Sequence, residues 1–154
     1  MARIAYLLTA FPTISETFVE GEFRALSRRG LPIDLYATRN FCEFAGESDR
    51  KEDRGQEVQR SPYLLGWEVA VAAAFFLFHS PFRTLGTLGR LVAGNAGSPR
   101  YLAHALALFP KSLVFARRMK QRGTCHVHGT WAHYPATVAY TVSRLLGIDR
   151  KSVV

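Results

Sequence analysis

RIAYLLTAFPTISETFVEGEFRALSRRGLPIDLYA, Arg3 to Ala37, decides the fold. Ile4 to Thr9 is a short apolar run ending in turn residues, the pattern of a buried strand. Thr13-Ile14-Ser15-Glu16 has the form of a capping box, in which the Thr13 hydroxyl accepts from the Glu16 amide while the Glu16 side chain reaches back. The helix that follows places Phe18, Val19, Phe23 and Leu26 on one face. Arg28-Arg29-Gly30 closes it with charge that suits the helix dipole and with a C-terminal glycine. Glu22 falls inside the apolar arc, where it is read first as an edge residue whose carboxylate reaches water and second as a functional carboxylate. Ile33 to Ala37 is the next strand. A β-α-β order of this kind calls for a parallel sheet with a right-handed crossover, hence an α/β chain with a Rossmann-like parallel sheet and flanking helices.

Beyond Ala37 the composition changes twice. From Arg39 to Arg60, Glu47, Asp49, Arg50, Lys51, Glu52, Asp53, Arg54 and Glu57 crowd together, which reads as a mobile charged loop. From Tyr63 to Phe78 apolar residues occupy nearly all faces, as in a helix that is buried or lies against something oily. That run contains Glu68 and falls short of the ~20 residues of a spanning helix. Ser80-Pro81 and Ser98-Pro99 each start a helix by the cap-then-proline rule, and Pro110 is expected to kink or divide the second of these. Residues 63–122 thus form a helical insertion between strands, ending in the basic turn Arg117 to Gly123.

CHVHGTWAHYP, Cys125 to Pro135, concentrates the polar chemistry, with three of the five histidines. As a strand, Cys125 to His128 sends His126 and His128 to one face and Cys125 and Val127 to the other. Such a strand presents His, Gly and aromatics at the carboxyl edge of a sheet, where open α/β folds bind ligands. After it, Pro135 opens an amphipathic helix with Val138, Val142, Leu145 and Leu146 on one side, stopped by Gly147. A strand is expected next, yet the chain continues as Ile148 and the polar Asp149 to Val154. That hexapeptide reads as the translation of a common sequencing adapter, so residues 149–154 are taken as a non-native tail and 1–148 as an incomplete domain.

The chain has 154 residues, 48% of them hydrophobic and 21% charged, which suits one folded domain with a real core. Twenty Lys and Arg against twelve Asp and Glu leave a net charge of +8, a surplus that favours anionic partners. No nucleic-acid reading motif and no basic-aromatic interleaving accompany that charge, so nucleic acid is not expected as a partner. Cys42 and Cys125 make no disulfide framework, and the first dozen residues lack the core length and cleavage site of a signal peptide, which together point to the cytoplasm.

The histidines have several readings. His-x-His on a strand is a metal-ligand spacing, but Cys125 points to the other face, His133 lies across a turn, and the stretch holds no Asp or Glu. In the plain structural reading His126 packs inside and donates to a backbone carbonyl, while only His128 reaches the edge. Cys125 and His126, as strand neighbours, point apart and make a poor nucleophile pair. Trp131 and Tyr134 either cover the core or, for Trp131, offer a platform to a sugar ring. Thr9 to Ser15 stand where G-x-G-x-x-G would be, which speaks against a nicotinamide dinucleotide there. The helix begun at Thr13 still turns free amides toward the space above the sheet.

Arg3 to Leu7, Phe11 to Val19, Glu22 to Leu26 and Arg29-Gly30, with Pro110 to Leu113, Arg117-Arg118 and His126 to Ala139, resemble the N-terminal domain of family 4 glycosyltransferases, in particular those of colanic acid and other exopolysaccharide assembly. The resemblance runs to Ile148. It implies the GT-B architecture, two Rossmann-like domains across a cleft, of which this chain supplies the acceptor-side half. It implies a retaining transfer of sugar from a nucleotide diphosphate sugar, held mainly by an absent C-terminal domain, to a lipid-linked glycan or polysaccharide, with no cofactor. His128 would then lie at the transferring sugar, and Phe11, Pro12, Ser15, Glu16, Trp131 and His133 would line the acceptor side. Phe11 and Pro12 replace glycines that many relatives carry. The Tyr63 to Phe78 helix and the basic helix ends would meet an anionic membrane surface at its inner face, core packing being the other reading of that helix. On this view the chain alone is inactive. The alternatives are a metal-dependent hydrolase using the His126 and His128 pair, and a non-catalytic membrane-peripheral binding module.

Overall fold

A computed structural model describes residues 3–10, 17–39, 58–62, 64, 66–132 and 134–152. The chain is α/β, with β1 (Arg3–Leu8), α1 (Thr17–Arg28), β2 (Ile33–Ala37), α2 (Trp67–His79), α3 (Pro81–Asn95), α4 (Pro99–Gln121), β3 (Thr124–Gly129), α5 (Tyr134–Leu146) and β4 (Asp149–Ser152). The strands form one parallel sheet in the order β2-β1-β3-β4. The first strand, helix and second strand fall where the opening stretch places them, and α3 and α4 begin at the two prolines. Thr13 to Glu16, Cys42 and Tyr63 lie outside the described residues.

Alternation along the strands sorts the core into two layers. Tyr6, Leu8, Ile33 and Leu35 face Val19 and Phe23 of α1. Ala5, Leu7, Tyr36 and Val127 face the other way, into a larger core built with α2 to α5. Phe115, fully buried, sets its ring edge against Tyr36 at 5.1 Å. Burying a side chain of that size stabilises by roughly 1.5–3 kcal/mol. Burial, and secondarily Asp34, pushes the Tyr36 phenol up to about 12.

Charged groups tie the layers together. Asp34 Oδ1, on a nearly buried carboxylate, accepts from Arg3 at 2.8 Å and from Arg122, just past α4, at 3.0 Å. Arg118 grips both oxygens of Glu68 at the start of α2 (2.9 and 2.8 Å) and donates to the Arg60 carbonyl at 2.8 Å. Both Glu68 contacts come from Nη2 and the carbonyl contact from Nη1, so the planar guanidinium is oriented by partners on two sides.

The structure corrects the sequence reading at several places. Pro110 does not divide α4, which runs unbroken from Pro99 to Gln121. The proline removes one backbone bond, to the Leu106 carbonyl, and Leu106 stands on the exposed side. Ala105, Leu108 and Phe109 before it and Lys111 to Ala116 after it are buried, so tertiary packing holds both halves in line. Ser80 and Ser98 make no side-chain cap bond. Proline, with φ already suited to the first helical position, carries those helix starts. Part of the expected mobile stretch, residues 39–60, is ordered: Gln59 bridges to Tyr36, giving to the Leu35 carbonyl at 2.8 Å and taking from Ala37 at 3.0 Å. The strand expected after Gly147 is present as β4, with Asp149 to Ser152 paired to His126 to Gly129. Its polar composition suits an edge strand, which needs backbone pairing more than apolar side chains.

Candidate functional site

The chain crosses from β1 to β2 on one side of β1 and later returns to the other side at β3. The carboxyl ends of β1 and β3 are therefore neighbours at the place where the connections diverge, the usual ligand crevice of open parallel sheets. Thr130 pins this point: its amide and its hydroxyl both donate to the Leu7 carbonyl, at 3.1 and 3.0 Å. α5 packs directly on the strand end, where a Cβ on Gly129 would be in contact, 3.4 Å from both the Ala139 Cβ and the Pro135 carbonyl oxygen.

His128 occupies the register position opposite Tyr6, and the two rings stack with centroids 4.7 Å apart. Both lie on the α1 side of the sheet. Core packing on that side draws on α1, β1 and β2, so the β3 histidines stand beyond it, half-buried. The Tyr6 hydroxyl donates to Glu22 Oε1 at 2.9 Å. Burial first, then that hydrogen bond and the carboxylate's charge, raise the Tyr6 phenol well above its ordinary range, so it remains a donor. Burial lowers the His128 pKa from its usual value; Glu22 opposes this, while His126 and Lys151 add to it. The imidazole is accordingly neutral at neutral pH, and among the described residues neither ring nitrogen has a hydrogen-bond partner.

The plain reading has His126 donating to a backbone carbonyl; among the described residues its partner is instead Asp149, with Nδ1 3.2 Å from Oδ2. The Cys125 thiol gives to the Arg3 carbonyl at 3.3 Å. Cys125 and Val127 differ in burial despite the shared parity, Cys125 exposed and Val127 buried, because the β1–β3 register shifts between Arg3 and Ile4. Trp131 is 40% exposed just past the strand. Phe11, Pro12, Ser15, Glu16 and His133 lie outside the described residues. Among the described residues no group of three His, Cys, Asp or Glu is placed to hold a metal ion.

A second feature shares the carboxyl edge. Thr38, Arg39, His104, Leu108 and Tyr134 line a cavity of about 180 Å³. The Arg39 guanidinium lies 5.4 Å from the Tyr134 ring centre, and His104 meets the same ring at 5.4 Å. His104 Nδ1 is buried without a partner among the described residues. Tyr6 and His104 were not found by sequence reasoning. Tyr6 sits in an apolar strand and gains its role from β3 beside it; His104 lies in a helix far from the histidine cluster in sequence.

No known protein family, curated protein or solved structure matches the chain. The geometry stands alone: a carboxylate, a phenol and a neutral imidazole drawn from α1, β1 and β3 to one side of a strand end.

Proposed function

We propose that the chain is the acceptor-side domain of a retaining glycosyltransferase, the N-terminal half of a GT-B pair. It would move a sugar from a nucleotide diphosphate sugar to a lipid-linked glycan or polysaccharide at the cytoplasmic face of a membrane. His128 carries this reading, as a neutral imidazole at the end of β3 whose ring nitrogens have no hydrogen-bond partner among the described residues. A neutral imidazole donates from one nitrogen and accepts at the other, so it can hold a sugar hydroxyl; an imidazolium can only donate. Stacking on Tyr6 fixes the ring plane. Trp131 offers an apolar face to a sugar ring, and Phe11, Pro12, Ser15, Glu16 and His133 complete the acceptor side. The nucleotide sugar is held by a second domain across the cleft. Positioning and charge stabilisation of the leaving diphosphate then supply the rate.

The test is NMR titration of the chain with a soluble oligosaccharide diphosphate, the head of a lipid-linked acceptor. Saturable shifts at the His128 ring and at the Gly129 to Trp131 amides are expected, with the amide shifts lost in His128→Ala. An unmoved His128 beside shifts elsewhere overturns the assignment. Residues 1–154 mixed with donor and acceptor should transfer no sugar, and measurable transfer contradicts the two-domain reading. Stoichiometric zinc that is lost on His128→Ala would favour the hydrolase instead.

A further inference from the structure

The corner between α2 and α3 is built inside out. The buried side of α3 carries Thr84 and Thr87 with Leu91, while Phe82 stands 91% exposed and Leu85 57% exposed on the outside. The threonines are tolerated inside because their hydroxyls turn back onto helix carbonyls, Thr84 to Ser80 at 2.9 Å and Thr87 to Arg83 at 2.7 Å. At the end of α2, Phe78 is 86% exposed. Single exposed apolar residues are ordinary, but large apolar residues gathered outside while hydroxyls fill the inside mark an apolar partner. Among the described residues no single helix is long and apolar enough to cross a membrane, and α2 with α3 pass such a test only as a pair bent by 114°. The corner is thus shaped to lie on an apolar boundary, with its two helices splayed.

Charge beside the corner identifies the boundary. A cavity of about 590 Å³ between α3 and α5 is lined by Arg83, Arg90, Arg144 and Arg150, with Phe82 and Tyr140, and among the described residues no carboxylate lines it. Arg83 and Arg90 lie two turns apart on one side of α3. Among the described residues neither side chain has an ion-pair or hydrogen-bond partner. Gly86 between them adds no side chain to the cavity floor. The Arg83 guanidinium is packed so closely on Gly147 that a Cβ there would meet Nη1 at 3.1 Å. Gathered guanidinium groups without counter-charge repel one another and favour an anion, and arginine suits phosphate geometry.

We propose that this corner docks on an anionic lipid surface. Phe78, Phe82 and Leu85 enter the boundary between headgroups and acyl chains, and Arg83, Arg90 and Arg144 receive a lipid phosphate in the cavity. These three arginines, all preceding residue 149, suffice for the contact. The proposal is independent of the transferase reading.

Co-sedimentation of the full chain with vesicles tests it. Binding is expected to vesicles of phosphatidylcholine with phosphatidylglycerol and not to phosphatidylcholine alone. The double variant Arg83→Gln/Arg90→Gln should weaken binding by about tenfold or more at low salt, and Phe82→Ser should weaken it while the far-UV circular dichroism is retained. Arg28→Gln, on the helix across the sheet, should leave binding nearly unchanged. Equal loss from Arg28→Gln would mean diffuse charge attraction and overturn the site. Inorganic phosphate that saturates the arginine signals in a chain that ignores vesicles would replace the lipid with a soluble ligand. A solution dimer dissolved by Phe82→Ser, without vesicle binding, would assign the face to a second copy.

Discussion

The two faces of the sheet are put to different uses. One is buried beneath α2 to α5 in a core that includes Phe76, Phe115, Val127 and Val142. On the other, α1 covers β1 and β2 and leaves His126 and His128 of β3 half-exposed. A site needs side chains that are both fixed and reachable, and at β3 the second face offers that. The first supplies the rigidity, so stability and ligand contact should respond to different substitutions.

The largest effect tests that separation directly. Phe115→Ala empties the centre of the covered face and should cost about 3–5 kcal/mol in denaturant unfolding. His128→Ala removes a half-buried ring stacked on Tyr6 and should cost about 0.5–1.5 kcal/mol, while abolishing oligosaccharide diphosphate binding. Equal destabilisation by the two would erase the distinction between the faces.

Next in size is Lys111, fully buried in α4. Burial, and secondarily Arg60, lowers its pKa to about 8 from 10.5. Between those values the unfolded chain holds a proton that the folded chain has released, so this group makes stability rise with pH across that window. Below it, the folded state bears the cost of a buried ammonium. Lys111→Met should stabilise the protein near neutral pH by about 1–3 kcal/mol and remove the alkaline rise, as read from melts at several pH values. A variant less stable at neutral pH would show that the ammonium is a favourable part of the core.

The smallest effect sharpens the picture of the open face. Glu22 opposes the burial that lowers the His128 pKa, so Glu22→Gln should lower that pKa further, measured from the ring signal in an NMR titration. Stability should change little, because the carboxylate is exposed. A His128 pKa that rises would show that the three groups are not electrostatically linked as described.

Residue pattern carried the local structure further than the site. Period-two and period-3.6 spacing placed β1, α1 and β2, and the parity of His126 and His128 was legible because both lie beyond the register shift. β4 was not, since Asp149 to Ser152 has no apolar alternation and is ordered by backbone pairing with β3. The Tyr6 stack depends on β1 and β3 becoming neighbours across more than a hundred residues, which spacing within either strand cannot show. The arginine cavity joins α3 to α5 in the same way. Each of its arginines, read alone, is an ordinary solvated cation on a helix or, for Arg150, on an edge strand.

The Gln59 bridge bears on how the protein behaves in concentrated solution. By using the Leu35 carbonyl and the Ala37 amide, it occupies the free rim of β2 that another molecule would need in order to extend the sheet. The opposite rim, β4, carries Asp149, Arg150 and Lys151, and such charges resist stacking of copies edge to edge. Changes that weaken residues 58–61 should therefore show first as lost shelf life, through strand exchange between molecules, before any loss of fold is measurable.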